Sequence, residues 1–481
     1  MIKDKTYMKN KTPLILFFAL TALYILFGYG VTISNDSVTN VDQIVSLDLW
    51  SRSSHFSFHL FGIIFYLFFS KLLGLSAVAS IEIMLSVFSA AAAVALYQVT
   101  LKKFNDVNQA IITVIIYSIA SGIFRFSCQV EYLILVPSFG IISLYFYSKG
   151  QYLIAGILFG LGLLTSVLLV LFIPMFLLFT SVREIFKKQN IIFAISMIAL
   201  FLTVNIFTYR ETVSGNWSYG GELSAYKEIF GEINFLRPAA ILVYGYLRSF
   251  NILILLLPFT LYYLFNHNRE LFYISLFTLF IHLPFAIPEA RYGGYQMTAY
   301  PIIAVASAYF LTRILRSPKW IITISLIFSF LNFYIVYSER EFNRDLKDTY
   351  VKLSNELEDN SVLIIYQAVK PVRNIYAPNL RVLDLHSDYQ SKLAEKRYSD
   401  YVAPDLNEIF TNNDTVYLLE SGVSMPDDNF KLLVSRFTKN QGAKVKGFAL
   451  DKILSVNPSV RIEKLNGYLL DVYKLSKSEK E

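Results

Sequence analysis

Cysteine is almost missing from this chain. Cys128 is the only one in 481 residues, which excludes an internal disulfide and any cysteine-based metal cluster. Charge is also scarce: 16% of residues are charged, against about 25% in an ordinary soluble chain. No phosphate-cradling P-loop, dinucleotide-binding glycine fingerprint or serine-hydrolase elbow stands where its context would require it. Those absences argue against ATP-driven transport and against a soluble-type enzyme fed by sugar nucleotides. Solenoid repeats and low-complexity tracts are absent as well.

What fills the chain instead is apolar. Hydrophobic residues make up 55% and aromatic residues 16%, the composition of lipid-facing helices with interfacial aromatic belts. A crossing needs about 20 apolar residues, and runs of that kind cover 13–33, 77–99, 108–127, 132–148, 191–209, 238–265, 271–288, 297–315 and 319–338. The stretch 151–180 is too long for one straight crossing and carries Gly156, Gly160, Gly162 and Pro174. It reads as two short segments forming a hairpin, for about eleven crossings in all. Gly156 and Gly160 form a small-xxx-small pattern, which predicts close helix packing. The first run, preceded by Lys3, Lys5, Lys9 and Lys11, resembles a signal peptide but is longer than an ordinary h-region, so it reads as a retained anchor.

The net charge of +7 does not point to nucleic acid, because the basic residues cluster in short loops between apolar runs. With the N-terminus cytoplasmic, Lys102-Lys103, Lys149, Arg183 to Lys188, His267 to Arg269 and Arg313 to Lys319 all fall on the cytoplasmic side. The loops 34–48, 210–237 and 289–291 fall on the opposite side. The apolar segment 55–73 fits no crossing in this scheme and is expected to lie near the outer membrane surface with its polar positions toward water. After Ser338 long apolar runs cease. Val362–Tyr366, Arg381–Leu385, Thr415–Leu419 and Tyr468–Tyr473 read as strands separated by helical segments. The expected architecture is a polytopic α-helical membrane domain (1–338) followed by an extracytoplasmic α/β domain (339–481), placed in a bacterial inner (plasma) membrane.

Several polar residues of the outer loops are chemically suggestive. Asp36, Asp42 and Asp48 follow the first span. A carboxylate held against the membrane suits a general base, while an acidic, solvated loop is the alternative reading. Glu131 lies at a turn joining two spans on the same side, where it is either a site acid or a helix end. Arg291 and Tyr292, in Pro288-Glu-Ala-Arg-Tyr-Gly-Gly, offer a guanidinium that can grip a phosphate with paired hydrogen bonds; a snorkelling arginine is the alternative. Arg248 falls near mid-depth of 238–265 and should face a polar cavity or an ion-pair partner such as Glu82. His55 and His59 share a helical face and read as polar lining of a cleft. A two-histidine site for a divalent metal is the alternative reading, but no third ligand accompanies them and no cofactor is indicated.

These features resemble the C-type glycosyltransferases, the superfamily of the protein O-mannosyltransferases and the lipid A aminoarabinose transferase. The likeness spans about the first 340 residues. It rests on Asn35-Asp36-Ser37 soon after the first span and on His55-Phe-Ser-Phe-His-Leu-Phe-Gly62, where relatives often carry a His-Pro-Pro or Lys-Pro-Pro-Leu sequence. Glu131, the glycine-rich 156–164 stretch before Thr165-Ser166, and Arg291-Tyr292 ahead of Tyr300-Pro301 complete it. The chain lacks the diproline, and Ser37 and Ser166 stand where relatives often have an acid and a lysine. The resemblance implies Asp36 as general base, Glu131 as a second acid and Arg291 as a phosphate contact. It also implies a polyprenyl-phosphate sugar donor, inverting transfer, and a glycan, lipid or protein acceptor. Two other classes using lipid-linked sugars are a surface-polysaccharide polymerase or ligase, which would need large outer loops between spans, and a flippase, which would need pseudo-symmetric halves.

Overall fold

The computed structural model describes residues 2–31, 35–50, 55–184, 186–212, 243, 245–282, 296–315, 318–357, 361–365, 381–384, 415–420, 460–468 and 471–477. They form two compact units, Met1–Gly30 with Asn40–Tyr337, and Val31–Thr39 with Ser338–Glu481.

The first unit is helical. Its helices are α1 (Ile2–Leu26), α2 (Asn35–Val45, which begins in the second unit's share of the chain), α3 (Phe56–Phe65, continued by a π-helical turn to Leu72), α4 (Ala77–Phe104), α5 (Val107–Ile119) and α6 (Ser121–Ser127). They continue with α7 (Leu135–Ser148), α8 (Tyr152–Leu163), α9 (Lys188–Thr212), α10 (Leu257–His267), α11 (Arg269–His282), α12 (Tyr300–Ile314) and α13 (Pro318–Glu356, which passes into the second unit's share of the chain after Tyr337). Among the described residues, four helices are long and apolar enough to cross a membrane, and a fifth span results if α5 and α6, bent by 65°, count as one. Shorter apolar helices fill much of the remainder.

The glycines act as the sequence suggests. A Cβ on Gly156 would lie 1.9 Å from Ser196 Oγ and 2.4 Å from the Phe193 carbonyl oxygen, so α8 and α9 touch backbone to backbone. The 151–180 stretch is indeed two pieces. It breaks at 164–166, and a 3₁₀ segment from Val167 to Leu178 returns with Gly162 seated against Leu169. On α9, Ile191, Ile195, Ile198, Leu202 and Ile206 form an exposed stripe, the surface expected of a helix facing lipid.

The basic loops gather at one end of the bundle. Lys103 Nζ donates to the Leu178 carbonyl at 2.6 Å and pairs with Glu270 at 2.8 Å. Lys102 reaches the Ser148 carbonyl, and Arg313 lies 3.9 Å from Asp106. The ends of α4, α7, the 3₁₀ segment and α12 therefore meet the starts of α5 and α11.

Three expectations change. The segment 55–73 is helical, but its polar positions point inward: His55, Ser57 and His59 are buried while Ile64, Leu67 and Phe68 are exposed. The run 238–265 is interrupted at Asn251, whose φ of 34° breaks the helix between the helical residues 245–250 and the short Ile252–Leu255 helix. The last apolar run does not stop at Ser338 but continues as one helix to Glu356.

In the second unit, β1 (Val362–Ile365), β2 (Arg381–Asp384), β3 (Val416–Glu420), β4 (Val460–Leu465) and β5 (Asp471–Lys477) make a five-stranded sheet of order β2-β1-β3-β5-β4. β1 runs parallel to β2 and β3, and β5 is antiparallel to β3 and β4. Gly467, with φ +87°, makes the β4–β5 turn that an L side chain would strain. Tyr468 belongs to this turn rather than to a strand, and β4 was not foreseen.

Candidate active site

At the end of the bundle away from the paired lysines, α1 gives way to Gly28-Tyr29-Gly30. Gly30 adopts a left-handed φ of 65° and donates its N–H to Glu82 Oε1 at 2.8 Å. The other Glu82 oxygen lies 3.0 Å from where a Gly28 Cβ would be. Glu82 is only 6% exposed, so this carboxylate meets the chain's backbone in a buried setting. From Glu82 to Lys102 along α4 is roughly 30 Å at about 1.5 Å per residue. The two polar clusters thus sit at opposite ends of the helix.

The turn 128–132 is the second wall. The Tyr29 N–H donates to the Cys128 carbonyl at 2.9 Å. Three residues on from Cys128, Glu131 is 8% exposed with an extended backbone that opens the 3₁₀ turn before α7. Its neighbour Tyr132 stacks on the His55 ring, with centroids 3.7 Å apart. His55 Nδ1 lies 3.0 Å from the Thr165 carbonyl oxygen, so that nitrogen carries the proton and donates. One short turn therefore ties the α1 exit to the start of α3 and the end of α8, with Glu131 between the two attachments.

Two guanidinium groups complete the set. The Tyr29 hydroxyl lies in the electrostatic field of Arg125, Arg248 and Glu82. Arg125 stands on α6, beyond the sharp bend after α5, and its Nε donates to Gln129 Oε1 at 3.3 Å. Arg248 is held through its backbone, since Ser121 Oγ donates to its carbonyl at 2.9 Å. The adjoining Ser249 hydroxyl bonds the Tyr300 hydroxyl at 2.6 Å, beside Gly122, whose missing side chain leaves room for that ring. Tyr29 also reaches α13 near its exit, donating to the Val336 carbonyl at 3.5 Å.

The structure thus draws Arg248 and Glu82 to one end of the bundle, with Glu131 and His55 on the adjoining turn. His59 lies on the neighbouring α3 face, its Nε2 at 3.2 Å from Asn40 Oδ1. Asp42 does not join them. On α2, Asn40 and Ile44 face α3, Ile44 filling the gap over Gly62, and Asp42 is exposed. Asp48 caps its own turn by accepting the Trp50 N–H at 3.0 Å. Asp36 is placed in the first turn of α2 by its backbone, while its side chain lies outside the described residues, as do Arg291 and Tyr292. Arg125 was missed in the sequence; the signal was a lone arginine within an otherwise apolar run. Among the described residues no group of histidine, cysteine and acidic side chains is arranged to hold a metal.

No family model matches the chain, and no curated protein matches it either. Solved structures do. The chain is similar to ArnT from Cupriavidus metallidurans bound to undecaprenyl phosphate, with a TM-score of 0.56 and 11% identity over 97% of this chain and 98% of that one. The apo form of the same protein gives a TM-score of 0.51 and 11% identity over 96% and 97%. An oligosaccharyltransferase from Archaeoglobus fulgidus, in complex with Zn and sulfate, gives 0.49 and 12% identity over 95% and 72%. Over nearly its whole length, then, this chain has the fold of ArnT.

Proposed function

We propose that this protein is a membrane glycosyltransferase that moves a sugar from a polyprenyl-phosphate donor to an acceptor on the extracytoplasmic side. The observation that carries the reading is the gathering of Glu82, Arg125 and Arg248 around Tyr29, beside Glu131, at the end of the bundle opposite the lysine-rich loops. Charges of both signs inside a lipid-facing bundle, buried on Glu82 and Glu131 and half-buried on Arg125 and Arg248, are costly unless they serve a pathway or a site. The positive-inside rule puts the lysine end in the cytoplasm and this cluster outside.

In the proposed reaction an acceptor oxygen attacks C1 of the sugar from the face opposite the phosphate. The bond from C1 to the phosphate oxygen breaks, polyprenyl phosphate leaves, and the configuration inverts. The acceptor proton passes to a carboxylate, Asp36 in this reading, with Glu131 positioning donor or acceptor. Charge accumulates on the departing phosphate. Arg248 and Arg291, with Tyr292 beside it, are the groups proposed to stabilise it. His55 lines the cleft and fixes Tyr132 next to Glu131. The undecaprenyl phosphate bound by ArnT supports the donor class, and the second unit is proposed as an extracytoplasmic α/β domain that takes part in acceptor choice.

The test is transfer of labelled sugar from synthetic polyprenyl-phosphate sugars by the purified chain in lipid nanodiscs, followed for the wild type, Asp36→Asn and Arg248→Ala. Transfer by the wild type and its loss in folded variants is the expected result. Sugar-lipid translocation without transfer would replace this reading with a flippase, and full activity in Asp36→Asn would remove that residue from the mechanism.

A further inference from the structure

Gln296 is wholly buried, and neither its Oε1 nor its Nε2 has a hydrogen-bond partner among the described residues. The amide rests on Gly245: a Cβ there would lie 2.3 Å from Oε1 and 2.8 Å from Nε2. Only glycine at 245 leaves the amide its place. Positions 245, 248 and 249 share one helical face at i, i+3 and i+4 spacing. Gln296 therefore sits one turn from Arg248, on the turn that Ser121 holds through the Arg248 carbonyl and Tyr300 holds through Ser249. The neighbouring Tyr246 hydroxyl is also buried without a partner among the described residues.

Two unsatisfied polar groups next to an anchored arginine are an unfavourable arrangement for a protein that merely needs to pack. A leucine at 296 would fill the same volume without stranding a donor and an acceptor. An amide offers one of each, which matches a sugar hydroxyl, itself donor and acceptor, better than it matches a phosphate that only accepts. The phosphate is the natural partner of the arginine.

We propose that Gln296, given room by Gly245, is a specificity-determining residue that hydrogen-bonds a ring hydroxyl of the donor sugar while Arg248 faces the donor phosphate. The inference rests on the proposed transferase reading and adds to it the part of the donor that is read here.

The experiment measures binding of two probes to the full chain in nanodiscs: a polyprenyl phosphate without sugar and the same lipid carrying a hexose. The wild type is expected to prefer the sugar-bearing lipid at least tenfold. Gln296→Leu and Gln296→Met are expected to abolish that preference, leave binding of the bare phosphate lipid unchanged, and keep or raise the melting temperature. Gly245→Ala, which displaces the amide without removing it, should lower the preference in the same direction. Undiminished preference in folded Gln296→Leu and Gln296→Met overturns the inference alone. Failure of the wild type to bind either lipid overturns the transferase reading and this inference with it.

Discussion

Gly30 gives its backbone N–H to the Glu82 carboxylate at 2.8 Å, and this bond fixes the point at which the chain leaves α1. The carboxylate is buried and lies with Arg125 and Arg248 about the Tyr29 phenol. It satisfies a left-handed glycine and shares the electrostatic surroundings of the Tyr29 phenol with two cations.

Replacing Glu82 with alanine removes the charged acceptor of a part-buried hydrogen bond, a loss of about 1.5–3 kcal/mol. Glu82→Gln keeps an acceptor for Gly30 and should lose less stability. Thermal unfolding of both variants in detergent separates the effects. Equal stability of Glu82→Ala and the wild type would show that the α1 exit is held by something else.

At Gly156 the geometry predicts a steep size dependence. Alanine there must push away the Phe193 carbonyl and the Ser196 hydroxyl, and overpacking of this kind costs about 1–3 kcal/mol. Valine should cost more, since its branches meet the same backbone. Gly160→Ala should be milder, because its nearest neighbour, the Met197 carbonyl, stands at 3.1 Å. Melting temperatures should fall in the order Gly160→Ala, Gly156→Ala, Gly156→Val, and a reversed order would contradict the close α8–α9 crossing.

The second unit yields a pH prediction. Tyr468 donates to Glu356 Oε2 at 2.6 Å, and Lys352 lies over its ring at 4.5 Å while donating to the Gly467 carbonyl at 2.7 Å. Burial, then the hydrogen bond and charge of Glu356, push the Tyr468 phenol above the ordinary tyrosine range. A raised folded-state value means the contribution is complete below the unfolded tyrosine pKa and fades as pH climbs through the folded one. Amide exchange in 460–468 of the full chain, taken relative to its intrinsic base-catalysed rate, should therefore speed up above about pH 10. Tyr468→Phe should lose about 1 kcal/mol at neutral pH and flatten that alkaline rise. An unchanged rise would assign it to another group.

Much of this architecture is legible in the sequence because lipid simplifies the rules. Length and apolarity locate α4 and α9, lysine placement identifies the end shared by Lys103, Glu270 and Arg313, and Gly162 with Pro174 signals the broken stretch. The inward-facing 55–73 helix was misread for a physical reason. Amphipathic periodicity identifies two faces but not which one meets solvent, and in a membrane the apolar face turns outward while His55, Ser57 and His59 turn in. Arg125 escaped because one charge in an apolar run scarcely changes a window average; only the bend after Ile119 delivers it to Tyr29. β4 escaped because Val460–Leu465 alternates poorly and its central residues are exposed.

His55 allows the architecture of the turn beside Glu131 to be dissected. Its ring makes a stack on Tyr132 and a hydrogen bond to the Thr165 carbonyl. His55→Phe keeps the first and loses the second, leaving a buried carbonyl with less satisfaction at a cost of about 1–2 kcal/mol. His55→Ala loses both and opens a cavity, so about 2–4 kcal/mol is expected. If the ring serves to hold Tyr132 and thereby Glu131, His55→Phe should retain more transfer activity than His55→Ala, with both reduced. The opposite order, Ala above Phe, would mean that the imidazole nitrogen or the space around it matters rather than the stack. Measuring transfer across pH 5 to 9 distinguishes these. A positioning ring leaves the shape of the profile unchanged in His55→Phe, whereas an imidazole that exchanges protons during turnover would take one limb of the profile away with it.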